Sequence, residues 1–503
     1  MSTDHRPGTL REPQPLAPPA AHDLATRLHA QVAAAAALAR RAGHPVLLSV
    51  GEASAVDPLA AIGATERPGA TPALAALVAT GRMFWAHERD DVAIAGIGAA
   101  AVMTPTGPGR FATCDARWRD LLASALIDDG GLGAAEAGPL LMGGFSFEPN
   151  GPRWEQWRDF PAAHLMVPAL QLSSHAGRGR LELNTMVAGD GEAHPPVVDL
   201  LEMRAWLHAA ALQAATTRPS STGLAWAPLR DPEDWRRTVG DAVHDIEGGT
   251  LQKVVLARAI RATLAGPLDI APMLALLRAT HRDSYVFAWW RGANVFAGAS
   301  PERLVRLRGA DVDASSLAGS APRGATPAED AAYADALTRS AKDLAEHAMV
   351  RSALGTALAG LCDDIVSPDG PSLLTLPHVH HLHTAVRARL RPGHSLLDLA
   401  GALHPTPAVG GTPREPALAF IRAREQLDRG WYAAPIGWIG RDGGELAVAL
   451  RSALISPHAA TLFAGCGIVA GSEPARELEE SEMKLRPMSM ALDGAAAGGP
   501  AAA

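Results

Sequence analysis

Between residues 251 and 468 the chain returns repeatedly to short runs rich in Val, Ile, Leu, Phe and Trp, and adjacent runs are joined by short turns. LQKVVLARAI, SYVFAWW, NVFAGASPERLVRL, HVHHLHTAVRARL and GELAVALRSALI read as strands. Parallel neighbours need a crossover of about a dozen residues or more, so short connections demand antiparallel pairing. Helical patterns at Glu233–Glu247 and from Thr326 to Leu361 must then pack outside the sheet, which predicts an α+β architecture. The first half has the same grammar. AHDLATRLHAQVAAAAALARRA is helical, whereas MFWAHERDDVAIAGIGAAAV and HLMVPALQLSSHAGRGRLELNTMV read as hairpins. The turn-rich TTRPSSTGLAWAPLRDP at 216–232 marks the passage between a first part, 21–215, and a second, 228–488. The Pro/Ala/Gly-rich ends, 1–20 and 489–503, are expected to be disordered tails.

Length and charge narrow the function. A chain of 503 residues with 48% apolar content can bury a large core in one catalytic unit. The net charge is −8 and basic residues are dispersed, which argues against a nucleic-acid partner. The first residues carry acids and prolines where a secretory signal needs an apolar stretch, and no later segment has about 18 uninterrupted apolar residues. The expectation is a cytoplasmic protein without membrane association. Cys114, Cys362 and Cys466 have no metal-ligand spacing and read as reduced, buried residues.

Basic residue usage is the sharpest compositional signal. Of 45 Lys plus Arg, only Lys253, Lys342 and Lys484 are lysines. Arginine serves wherever a surface cation suffices, as a GC-rich coding bias would produce, so these three are candidates for special chemistry. A lysine can lose its proton when desolvated; an arginine, with a pKa above about 12, cannot.

Two helices carry acids. SAKDLAEHAMV places Asp343, Glu346, His347 and Val350 at helical spacing, which suits either a metal ligand at Glu346 or a solvated face with a Lys342–Glu346 ion pair. In GSEPARELEESEMKL, Ser472 is the expected N-cap and Pro474 fits the first turn, while Glu473, Glu477, Glu480 and Lys484 recur along one face. Two carboxylates one turn apart can grip a hard divalent cation such as Mg²⁺; a surface stripe of acids is the bland alternative. In PHVHHLHTAV, strand alternation sends His378 and His380 one way and His381 and His383 the other, so the four cannot converge on zinc.

KVVLAR (253–258), GASPERL (298–304), LAGSAPRG (317–324), SAKDLAEH (340–347), HPTPAVGG (404–411) and GCGIVAGSEPARELEESEMK (465–484) resemble, in this order, motifs of the chorismate-utilising enzymes. That family includes isochorismate, salicylate, anthranilate and aminodeoxychorismate synthases. The likeness covers about 228–490, and GGFSFEPN (143–150) resembles the N-terminal half of isochorismate synthases. It implies a large antiparallel-sheet sandwich with the active site between sheets, chorismate as substrate and Mg²⁺ as cofactor. Lys253 matches the general base that activates water and Glu302 the general acid. Glu346 and Glu477 match the metal ligands, with Glu480 holding metal-bound water. Arg451 matches the residue that grips the enolpyruvyl carboxylate, assisted by Tyr432. Lys484 with Gly465 and Gly319 would meet the ring carboxylate. His381 matches the active-site histidine, and Ser320 and Ala408 also fall on substrate-binding positions.

Substitutions inside the motifs choose the reaction. Family members that use ammonia carry an amide where Lys253 stands, so water is the expected nucleophile. Aminodeoxychorismate synthases place a nucleophilic lysine where this chain has Ala318. Members that go on to eliminate pyruvate carry a threonine where it has Ala408. The resemblance therefore implies isochorismate synthase activity, with salicylate synthase as the alternative, in a monomer that needs no glutaminase subunit. It leans toward menaquinone supply, with siderophore and salicylate routes open. Ala434 and Cys466 depart from the commoner glycine and alanine without touching the proton transfers.

Overall fold

Alternation along two strands explains the layering. In Tyr285–Arg291 and Asn294–Ser300, paired antiparallel, Tyr285, Phe287, Trp289 and Phe296 enter one apolar cluster, while Val286, Ala288, Trp290, Val295 and Ala297 enter another. A sheet buried on both faces needs two covers. The computed structural model, which describes residues 21–67, 69–131, 138–211, 224–377 and 379–497, supplies them: a second sheet on one face and helices on the other.

The longer sheet runs, in spatial order, Leu126–Asp128, Val46–Ala53, Arg178–Val187, Ala163–His175, Val92–Met103, Arg82–His87, Tyr285–Arg291, Asn294–Ser300, Ser452–Ser456, Ala459–Ile468 and Lys253–Thr263. Only its first pair is parallel. The second sheet branches from the same Ala163–His175 strand and continues through Leu141–Phe145, Pro435–Ile439, Gly443–Val448, Arg303–Arg308, Asp311–Pro322 and Val379–Leu390. Both sheets draw strands from both halves of the sequence, so the two parts interleave. Between the sheets lie Trp85, Phe287, Trp289, Phe296 and Phe463 from one side and Ile436 and Ala447 from the other, while Val305, Leu307 and Leu446 turn outward to the helix Leu396–Leu403. Each such aromatic contributes roughly 2–3 kcal/mol by leaving water. Helices Ala21–Ala42, Pro58–Thr65, Val197–Ala211, Ile270–Thr280 and Pro474–Ala497 cover the outer face of the longer sheet. No helix among the described residues is long and apolar enough to cross a membrane.

Five local readings change. NVFAGASPERLVRL and GELAVALRSALI, expected as single strands, each break in two, because each crosses from one sheet to the other. The first crosses at Pro301–Glu302 and the second at Ala449–Arg451. The helix expected from Thr326 to Leu361 is two, Pro327–Arg339 and Ala341–Ala359. Ser340, extended at φ −65° and ψ 112°, ends the first and caps the second by accepting from the Asp343 N–H. Ser472, expected as an N-cap, instead accepts from the Val469 N–H. The 489–503 tail is helical as far as Ala497, since Met488, Ala491 and Leu492 form an apolar stripe buried in the same cluster as the Ile270–Thr280 helix. Residues 1–20, His378 and much of the 216–232 passage lie outside the described residues.

Candidate active site

The two crossings open the site. Where the sheets diverge, Glu302 and Arg451 each stand at a point of transfer, and the two points are stitched together. The Val448 N–H donates to Glu302 O at 3.0 Å and the Ala299 N–H to Arg451 O at 3.1 Å. The Ser300 hydroxyl donates to Val448 O and accepts from the Glu302 N–H. Arg451 is held at φ +48°, a left-handed conformation that a non-glycine residue adopts at a cost of about 1–3 kcal/mol. Such strain persists only where the surroundings over-determine the backbone.

Every residue singled out above as catalytic, substrate-binding or metal-ligating lines one cavity between the sheets: Lys253, Glu302, Gly319, Ser320, Glu346, His381, Ala408, Tyr432, Arg451, Gly465, Glu477, Glu480 and Lys484. All three lysines of the chain line it, and each holds one glutamate. Lys253 Nζ lies 2.8 Å from Glu346 Oε1, Lys342 Nζ 3.1 Å from Glu477 Oε1 and Lys484 Nζ 2.6 Å from Glu480 Oε1. The ion pair between Lys342 and Glu346, weighed as the bland reading, is replaced by one that joins two helices.

Lys253 opens the strand Lys253–Thr263 and is 1% exposed. Its alkyl stem runs beside the neighbouring strand, where Gly467 stands opposite Val255. A Cβ on Gly467 would come within 2.5 Å of Glu346 Oε1 and 2.8 Å of Lys253 Cε. Gly467→Ala must therefore displace this pair, and we expect kcat/KM to fall at least about a hundredfold, the effect of a misplacement near 1 Å. Far-UV circular dichroism should remain unchanged. Retention of wild-type turnover would contradict the packing described.

Burial pushes the Glu302 carboxyl up to about 7, against the opposing pull of the Lys253 and Lys484 charges. Near neutral pH it is therefore divided between acid and carboxylate. Glu477 is raised by burial and then by the charge of Glu480, with Lys342 working the other way. His381 is driven well below the ordinary histidine range by burial and by Arg451 and Lys484, so its imidazole is neutral. Its Nδ1 lies 2.8 Å from Ser320 Oγ, while its buried Nε2 has no partner among the described residues. Ser320 reaches His381 because the ladder between Asp311–Pro322 and Val379–Leu390 slips between Leu317 and Ser320, at the φ +82° of Gly319. His380, on the opposite face of the strand, pairs with Asp330.

Burial lowers the Arg451 guanidinium to about 10, which leaves it charged at neutral pH. Its one hydrogen bond among the described residues, to Lys484 O, is long at 3.5 Å, so its donors remain for a ligand. Tyr432 stacks on Phe463 at 5.4 Å, and burial pushes its phenol up. Lys484 also donates to Gly465 O at 2.9 Å.

Sequence reasoning missed the buried Arg429–Glu425 pair. Arg429 donates to Glu425 at 2.7 Å, to Val409 O at 2.7 Å and to Val255 O at 2.8 Å, which ties the HPTPAVGG loop to the Lys253 strand. The i, i+4 spacing of the two charges was the available signal. Asp343 and Cys466 also line the cavity, Asp343 with its carboxyl raised by burial.

Among the described residues no three His, Cys, Asp or Glu side chains form a ready-made metal cage. The donor set nonetheless suits Mg²⁺, which takes one or two carboxylates and completes its shell with water and substrate. The buried Glu477 Oε2 has no hydrogen-bond partner among the described residues, an orphaned oxygen of the kind a hard cation satisfies.

A cleft of buried cations and acids between two sheets defines an enzyme for a small carboxylated molecule. Residues 34–493 match the chorismate binding enzyme family. Over 460 residues the chain is 41% identical to the salicylate biosynthesis isochorismate synthase of Pseudomonas aeruginosa, covering 89% of this chain and 90% of that one. Isochorismate synthase MenF of Bacillus subtilis is 38% identical over 464 residues, 91% of this chain and 95% of that protein. The fold resembles that of MenF, the menaquinone-specific isochorismate synthase from Escherichia coli, with a TM-score of 0.71 and 24% identity over 91% of this chain and 100% of the other. The chain belongs to the chorismate binding enzyme family.

Proposed function

We infer that the chain is an isochorismate synthase, which converts chorismate reversibly to isochorismate by adding water at ring C2 as the C4 hydroxyl leaves. One observation carries the reading: a lysine sealed from solvent and a buried carboxyl group that titrates near 7 line the same cavity. Hydration with allylic displacement needs a group that takes a proton and another that gives one.

Lys253 takes the proton from the attacking water as its oxygen bonds to C2. The double-bond electrons shift along the ring, the C4–O bond breaks, and Glu302 protonates the departing oxygen so that it leaves as water. In the reverse direction the two residues exchange tasks. Arg451 holds the enolpyruvyl carboxylate through its forked donors, with Tyr432 beside it. Lys484 and the backbone near Gly465 and Gly319 meet the ring carboxylate, and His381 presents Nε2 to the substrate. Glu346 and Glu477 would hold Mg²⁺, and Glu480 its water. The ion, when bound, supplies a Lewis-acid anchor for the ring carboxylate. Ala408 leaves an apolar wall where pyruvate elimination would call for a hydroxyl. With water as nucleophile the monomer needs no ammonia-delivering partner.

Purified protein incubated with chorismate and Mg²⁺ should give isochorismate in equilibrium with chorismate, resolved by chromatography. EDTA should abolish turnover and added Mg²⁺ restore it. Accumulation of salicylate and pyruvate would make the enzyme a salicylate synthase, and anthranilate formed on adding ammonium would contradict water as the nucleophile.

A further inference from the structure

The three ion pairs of the cavity differ in how easily they can part. Lys253, with its side chain 1% exposed, begins the last strand of the longer sheet and faces the cavity, so it cannot swing out into bulk solvent. Lys484 is doubly held, by Glu480 and by Gly465 O. The Lys342 side chain is 41% exposed, while its partner Glu477 is only 4% exposed. It can swing into solvent with little desolvation change, whereas the glutamate must keep a cation.

We propose that Lys342 is a placeholder cation, which holds Glu477 until Mg²⁺ binds and then yields that carboxylate to the metal, so that metal binding here is an exchange of cations. The proposal rests on the assignment of Glu477 as a metal ligand. Lys342 Nζ lies 3.1 Å from Glu477 Oε1, and Glu346 stands one turn further along the same helix as Lys342. Lys342 therefore stands in the field of both carboxylates assigned to the metal.

Two features of the sequence fit this role. Lys342 is the second residue of the helix Ala341–Ala359, in the first turn, where the helix dipole disfavours a cation. Its position there answers to Glu477 across the cleft. The chain also uses arginine for nearly every other cation. Arginine would clamp Glu477 through two parallel bonds, whereas a lysine makes one flexible contact that can be surrendered.

Calorimetric titration of Mg²⁺ into substrate-free wild type, Lys342→Met, Lys342→Arg and Glu477→Gln tests this, together with thermal melting in EDTA and in Mg²⁺. Removing a half-exposed competing ion pair should tighten Mg²⁺ binding about two- to fivefold in Lys342→Met, and the arginine variant should weaken it by a similar factor. Lys342→Met should also melt lower than wild type in EDTA and gain more from Mg²⁺. If Glu477→Gln abolishes binding while both lysine variants bind as wild type does, the placeholder role is wrong and the metal assignment stands. If Glu477→Gln binds Mg²⁺ as tightly as wild type, both fall.

Discussion

Lys253→Ala should lower turnover of chorismate about a hundred- to ten-thousandfold, the usual contribution of a positioned general base. The side chain is 1% exposed and its nitrogen lies 2.8 Å from Glu346, so the loss has two components, a missing proton acceptor and a missing hydrogen-bond partner for Glu346. Lys253→Arg separates them. It restores hydrogen-bond donors beside Glu346 but cannot accept a proton at neutral pH. Both variants should be nearly inactive while far-UV circular dichroism and Mg²⁺ binding persist. Substantial turnover in Lys253→Arg would reduce the residue to an electrostatic role.

Glu302→Gln should be comparably severe and should also change the response to pH. A carboxyl group raised to about 7 can donate a proton only while protonated, so kcat/KM should fall as pH climbs above about 7. The residual activity of the Gln variant should lack that limb. Stability offers an independent check. The folded carboxyl binds its proton more tightly than the unfolded one, whose pKa is about 4.3, so stability drops as pH rises from there through about 7 and stays reduced above it. The difference is on the order of 3–4 kcal/mol. Glutamine removes that penalty, and the variant should melt above wild type at pH 8 yet near it at pH 4.5. Equal melting temperatures at pH 8 would mean that Glu302 is not held in its acid form by burial.

The rarity of lysine was the most direct route from sequence to site, since all three line one cavity. Antiparallel pairing was legible as well, because short turns leave no alternative. Hidden from the sequence was the division of the pairing between two sheets that share the Ala163–His175 strand. Pairings of that span are set by tertiary packing, and strand periodicity is the same whichever sheet receives the strand. For the same reason NVFAGASPERLVRL read as one strand although Glu302 marks its crossing, and GELAVALRSALI read as one although Arg451 marks the other. The partner of Lys342 was hidden on similar grounds: i, i+4 spacing offered Glu346 only as the alternative to a metal role, and only the approach of a second helix brings Glu477 to 3.1 Å. The C-terminal stripe of Met488, Ala491 and Leu492 was missed, because Ala and Gly richness from 489 onward suggested disorder.

The most direct test of the chemistry is isotopic. Chorismate turned over in ¹⁸O-enriched water should yield isochorismate with ¹⁸O in its C2 hydroxyl, and chorismate regenerated by the reverse reaction should carry label at C4, with incorporation in Lys253→Ala slowed in proportion to its turnover. Isochorismate formed by wild type without solvent oxygen would mean that the hydroxyl migrates within the molecule, and the activation of water by Lys253 would be refuted.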